Sequence, residues 1–293
     1  MTQQQTDPRE IASASVRRAG TLVALPEAAA RAAQVADDME SSLEELGQAF
    51  SRDPALCSHL LKVANSALYG QRSEVSSIER AAALLGRNVL RNVALAASMR
   101  SIMPAANIHH RFSVIALWRH SIRTAAAACV LARESGAWEP EEAFAAGLIH
   151  DLGMLVEIEV DQKALGTVVD GVTKASPEDH EQTILALELA TFGADHQHFG
   201  AAMCKLWGFP PALQDVAAHH HDPSQLGLPS RKLATLVNLA KQVSVDCEHG
   251  IRKELGEPVI DHEALACLGI DEHAYEGLVS AMIEAADDIE AAF

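Results

Sequence analysis

Apolar residues recur along this chain at the spacing of helices. Behind Asp53-Pro54, the residues Leu56, Leu60, Val63, Ala64, Ala67 and Leu68 fall three or four apart until Gly70 closes the run. Asp53 reads as an N-cap, and Pro54 as the first helical residue, where a missing N–H costs nothing. Leu25-Pro26 marks an earlier helix start. Ser76-Ser77-Ile78-Glu79 has the form of a capping box and opens a helix to Leu85, with a turn at Gly86 and a further helix over Val89–Met99. The polar break Pro104–Phe112 reads as a hinge between two helical lobes. Beyond it, Leu117, His120, Thr124, Ala127, Ala128 and Leu131 share one stripe that ends at Gly136. Glu139-Pro140-Glu141-Glu142 and Ser176-Pro177-Glu178-Asp179 both read as acid-rich helix starts. The second of these helices ends near Gly193, and Asp195 caps the next. Leu213, Val216, Ala217 and His220 mark another, Arg231–Val245 a further one, and the chain from Asp261 one or two more. Residues 1–20 are polar and read as loosely ordered. No stretch reads as a strand, so the expected fold is all-α.

The pattern organises itself around Ala143–Val156, where an apolar run delivers His150-Asp151 into a position that must be buried. Polar groups there need partners. His120 lies on an apolar stripe, His196 in the first turn after Asp195, and His220 on an inward face, with His221 about 100° further round. Gly153 reads as a sharp bend. Two readings stand side by side: a set of metal ligands, or a hydrogen-bonded buried network.

Composition narrows the partners. The 293 residues carry a formal net charge of −17, which disfavours nucleic acid and anionic membranes as general partners. From Arg52 to Arg100 basic residues outnumber acidic ones, so the Gly86 turn could be read as a helix-turn-helix. Such pairs are also ordinary packing units. The five cysteines are widely spaced with no CxxC pair, which points to a reducing compartment and buried thiols. No apolar run approaches the roughly 20 residues that span a bilayer, and the N-terminus lacks a signal-peptide pattern. A cytoplasmic location is expected.

Taken in order, DPALCSHLLKVANSALYG, IERAAALLG, LWRHS, AAGLIHDLGML, GADHQHFGAAMCKLWGFPPAL and HHDP resemble the HDOD domain, an output domain of bacterial signalling related to HD phosphohydrolases. The resemblance implies a multi-helical N-terminal lobe (about 21–105) packed on an HD-like lobe (110–250), within a domain spanning 21–250. Residues 251–293 would be helices packing on it. It implies His120, His150, Asp151, His196, His220 and His221 as counterparts of metal ligands, with iron, manganese, nickel or zinc as candidate ions. Two positions depart from active relatives. Met154 stands where the HD-GYP motif has lysine, and Lys241 where HD enzymes have a ligating aspartate. A protonated lysine repels a divalent ion and has no lone pair to give it. The expectation is therefore a regulatory module with signalling-protein partners, no catalytic residues of its own, and self-association left open. A metal-dependent phosphohydrolase acting on cyclic dinucleotides or nucleotides is the alternative. Asn65 and Ser66 read as capping or packing residues, His198 and His219 as lying outside the cluster, and Asp287–Glu290 as a solvated helix face.

Overall fold

Helix starts along the chain are set by short polar side chains that accept the free N–H groups of a first turn. The computed structural model describes residues 7–19, 42–70, 74–104, 108–175, 180–243, 247–248, 251–252 and 261–293. Asp7 caps α1 (Pro8–Arg18), and Ser42 closes a capping box with Glu45 at α2 (Leu43–Ser51). Asp53 caps α3 (Pro54–Ala64), which is followed by a 3-10 turn, Ala67–Tyr69, ended by left-handed Gly70. Ser77, one residue later than the sequence pattern implied, caps α4 (Ile78–Ile102). This helix is broken at Gly86, whose φ of 75° and ψ of 174° suit glycine. Ser113 caps α5 (Val114–Ser135), and Gly136 ends it. Then come α6 (Pro140–Ile149), α7 (Gly153–Val160), α8 (Gln162–Val172) and α9 (His180–Phe192). They are followed by α10 (His196–Leu206), α11 (Pro211–His219) and α12 (Ser230–Ala240), the last running into the turn Lys241–Val243. The chain closes with α13 (His262–Leu268) and α14 (Glu272–Ala292). The expected helix starts at Leu25-Pro26 and Ser176–Asp179 lie outside the described residues, as does the end of the helix expected to reach Val245. Cys247–Glu248 pairs antiparallel with Ile251–Arg252, a pairing too short to carry a β signature in sequence. The fold is all-α.

At the centre is α5, which packs against α6, α12 and α14. Its Ile122, Ala125, Ala126, Ala127, Ala128, Cys129 and Leu131 are fully buried, so the helix is enclosed on several faces. The expectation that no stretch approaches a bilayer-spanning length is corrected by this helix. Val114–Ser135 is long and apolar enough to span a bilayer, with mean hydropathy 1.2, yet most of it is enclosed by other helices. An apolar helix of this kind is a core helix. Helices α2, α3 and α4 pack on one another, and α4 reaches α6. The two halves of α4 bury Ala81 and Ala82 before the break and Leu90, Val93 and Ala94 after it, as a packing unit does.

Two further sequence expectations change. Residues 8–18, within the segment expected to be loosely ordered, form α1, which buries Ala12, Ser15 and Val16 and packs on α10. Asp7-Pro8 carries the same cap-and-proline signal as Asp53-Pro54, hidden by a polar flank. Nor is Asp287–Glu290 a solvated face throughout: Asp287 is exposed, but Ile289 is buried and the acids have partners. Arg123, buried on α5, pairs with Asp287 and, at 3.1 Å, with Glu290, which also takes Arg119. Asp288 accepts the Ala67 N–H at 2.7 Å, and His59 stacks on Phe293. Helix α14 thereby ties the α3 region to α5.

Asn65 and Ser66 act within the packing. The Asn65 amide donates to the carbonyls of Leu61 (2.8 Å) and Val75 (2.9 Å), and its oxygen accepts the Val75 N–H at 2.8 Å. Val75 itself is buried. Asn65→Ala leaves that strap untied, with an expected cost of about 1–2 kcal/mol in urea unfolding. A loss below a few tenths would show that the strap is not needed.

Candidate metal centre

The His150-Asp151 pair stands on a tight turn between α6 and α7, where Leu152 N–H bonds to Ile149 and Met154 N–H to Asp151. Two glycines press this turn into place. A Cβ on Gly147 would lie 2.8 Å from Ala125 Cα on α5, and one on Gly153 would lie 1.8 Å from the His196 carbonyl oxygen on α10. The bend expected here is present, and Gly153 itself also serves the close approach of two backbones. The turn is held between α5, which presents His120, and α10, whose first residue is His196, with Asp195 as cap. Helix α11 ends at His219 and brings His220 and His221 to the same place.

All six expected residues converge. Asp151 Oδ2 lies 3.2 Å from His150 Nε2 and 3.5 Å from His120 Nε2. Its Oδ1 lies 3.4 Å from His220 Nε2 and 3.8 Å from His196 Nε2. His120 and His150 approach at 3.2 Å between Nε2 atoms, and His196 lies 3.3 Å from His220 and 3.0 Å from His221. Two triads result, His120–His150–Asp151 and His196–His220–His221, each with ligand atoms within 4.8 Å of one another. For metal–nitrogen bonds of about 2.0–2.1 Å, octahedral neighbours stand about 2.8–3.0 Å apart and tetrahedral ones about 3.3–3.4 Å, close to these separations.

Hydrogen bonds outside the cluster fix the ring tautomers. His150 Nδ1 bonds the Gly147 carbonyl at 2.7 Å and His220 Nδ1 that of Val216 at 3.3 Å, so each Nδ1 carries the proton. His196 Nδ1 bonds Glu188 Oε2 at 2.7 Å. With Nδ1 so engaged, the Nε2 atoms of His150 and His220 are turned to the two oxygens of the Asp151 carboxylate. Imidazole and carboxylate gathered in this way are a donor set that fits a first-row metal. A proton is the competing cation. Burial lowers the basicity of His196, but Glu188, Asp151 and Asp195 outweigh it and carry the pKa up to about 9. His220 is held well below 6.5, by burial first and with the charge of Lys241 adding to it. Metal uptake would displace the His196 proton.

The neighbours divide as follows. Asp195 caps α10 and also takes His198 Nδ1 at 2.6 Å, and the partly exposed His198 stays out of the cluster. Burial raises the Asp195 carboxyl, and its bonds from His198 bring it below the usual range. His219 is half-buried on α11 and its pKa is lowered, chiefly by burial. Met154 is fully buried among apolar side chains, and Lys241 is buried in the turn that packs on α5. Sequence reasoning missed Glu188 and Glu157, both fully buried. The available signal was a lone acid within an apolar stretch, Leu155-Val156-Glu157-Ile158 and Ala186-Leu187-Glu188-Leu189.

An all-α chain whose buried His-Asp turn is met by histidines from three other segments has the architecture of HD-like proteins. The HDOD domain model matches residues 22–223, and the chain belongs to the HDOD family. Among solved structures, a candidate phosphohydrolase from Shewanella amazonensis SB2B is 24% identical, with TM-score 0.74, over 95% of this chain and 97% of that one. An HDOD domain protein of unknown function from Geobacter sulfurreducens is 22% identical, with TM-score 0.72, over 97% and 99%. At these identities the likeness is one of fold. A curated relative, an uncharacterised protein of Treponema pallidum (strain Nichols), is 24% identical over 223 residues, which is 75% of this chain. The aligned part is 41% of that relative's length.

Proposed function

We propose that the protein is a regulatory module of signal transduction in the cytoplasm, working through contacts with other proteins, with its His/Asp centre as a helix-locking core. The observation that carries this reading is closure. His120, His150, His196 and His220 are at most 1% exposed and Asp151 2%, with His221 alone half-buried. Structural metal sites are closed, whereas catalytic ones keep a position open to substrate. Lys241 supports the same reading, since it adds positive charge beside His220 where HD enzymes place a carboxylate. His120, His150 and Asp151 would hold one ion, and His196, His220 and His221 the other donor set. When bound, an ion there joins segments from α5, α6, α10 and α11, and at an open position it would activate water.

The phosphohydrolase reading is kept as second because two triads converge. The test is hydrolysis of cyclic dinucleotides and nucleotides with manganese, iron or nickel supplied. The expected result is no turnover above that of Asp151→Ala. Turnover that vanishes in both His150→Ala and Asp151→Ala, each still folded, overturns the regulatory reading. Pull-downs that return nothing above background across growth conditions would count against protein partners.

A further inference from the structure

Five of the six residues that meet in the cluster are sealed from solvent, and His221 is not. The difference follows from where each one stands. His120 and His196 lie on α5 and α10, and His150-Asp151 on the turn held between them. His220 closes α11, and Asn238 on α12 donates to its carbonyl at 2.8 Å. His221 comes one residue past that helix end, and Asp222, Ser224 and Gln225 just after it are exposed.

The rings are also held differently. Gly147, Glu188 and Val216, all outside the six, engage Nδ1 of His150, His196 and His220. The His221 ring packs on those of His196 and His220, with centroids 5.0 and 4.4 Å away. Its backbone, by contrast, is tied. Its N–H reaches the Gln197 side-chain oxygen at 3.4 Å, and the Asp222 N–H bonds the His219 carbonyl at 3.1 Å. Arg231 holds the next turn through the Ser224 carbonyl at 2.6 Å. Motion at this point therefore belongs to the side chain, which can turn between staggered rotamers without moving a helix.

We infer that His221 is the movable ligand of the cluster, turning out toward solvent to let a divalent transition metal in or out and turning back to close the site. The inference rests on the metal-centre reading above and adds to it a side from which the ion is exchanged. With His221 turned out, the His196–His220 side has an open position, and with it turned in the centre is closed as a structural site is.

The experiment follows release of zinc to a chelator from the parent, His221→Ala and His120→Ala. Release from His221→Ala should be faster than from the parent by at least the roughly 10- to 100-fold that loss of a ligand's hydrogen-bond partner costs in affinity. Free imidazole should slow it again toward the parent rate, because the gap left by His221 is open to solvent. His120→Ala should also hold zinc less well, and imidazole should not restore it, because that gap is enclosed. Release from His221→Ala at the parent rate overturns the inference and leaves the metal reading standing. Equal rescue of both variants by imidazole also overturns it. A parent that takes up no zinc ends the metal reading and this inference with it. If His221→Ala does not fold, acylation of the parent's histidines by diethyl pyrocarbonate, read by peptide mass spectrometry, decides instead. His221 should be modified without zinc and protected with it, while His120, His150 and His220 stay unmodified in both. A His221 that stays unmodified without zinc overturns the inference.

Discussion

Gly153→Ala is expected to lower the unfolding free energy by about 3 kcal/mol or more, at the upper end of overpacking costs. The new methyl would lie 1.8 Å from the His196 carbonyl oxygen and 2.7 Å from both His196 C and Gly200 N. All three are backbone atoms, so no rotamer change relieves the clash, and α7 would have to shift against α10. That shift would also pull Asp151 from His196. Urea unfolding checks the cost, with Gly277→Ala as its counterpart. Gly277 is exposed on α14, and an added Cβ there meets nothing within 4 Å. Its replacement should stabilise the protein by about 0.8–1 kcal/mol, the helix-propensity difference. A mild Gly153→Ala would mean that α7 and α10 can separate freely, and the account of the HD turn given above would fail with it.

What the sequence makes legible here is local. Asp53-Pro54, Asp195 and Gly136 act where their chemistry places them, because a cap needs only its own first or last turn. The inward faces of His120 and His220 follow from periodicity in the same way. Periodicity names a buried face but not what lies across from it. At Gly153 the bend is therefore legible, but not the α10 backbone that presses on it from more than 40 positions away. Asp287–Glu290 looks solvated because its partners, Arg119 and Arg123, lie over 160 residues earlier. Glu188 and Glu157 are hidden for a related reason. A lone acid in an apolar stretch has no spacing signature, and its meaning depends on His196 and on the other acid.

Met154 shows the same limit at a motif position. From sequence it is the place of a missing motif lysine, but its side chain is fully buried. Met154→Lys would place an unpaired ammonium in the core, at a large desolvation cost. Restoring the HD-GYP pattern there is therefore a poor route to function in this chain.

The second large effect concerns the ion. Zinc at about 100 times its Kd should stabilise the parent by about 2.7 kcal/mol, since a ligand bound only by the folded state adds free energy by mass action. Asp151→Asn should gain almost nothing at the same zinc concentration. Asp151 is the carboxylate reached by four imidazoles, with Oδ2 on His120 and His150 and Oδ1 on His196 and His220. The amide keeps the shape, removes the charge, and can ligate only through its neutral oxygen. Unfolding followed with and without zinc measures both gains. Equal stabilisation of the two proteins would place the ion elsewhere and end the metal reading. Lys241→Asp tests the opposite direction. It removes the buried charge that helps hold down His220 and supplies a carboxylate of the kind HD enzymes use there. Zinc should then bind more tightly than to the parent. If affinity rises and hydrolysis still fails to appear, closure of the site limits chemistry more than the missing ligand does, because a bound ion without an open position has nowhere to present water.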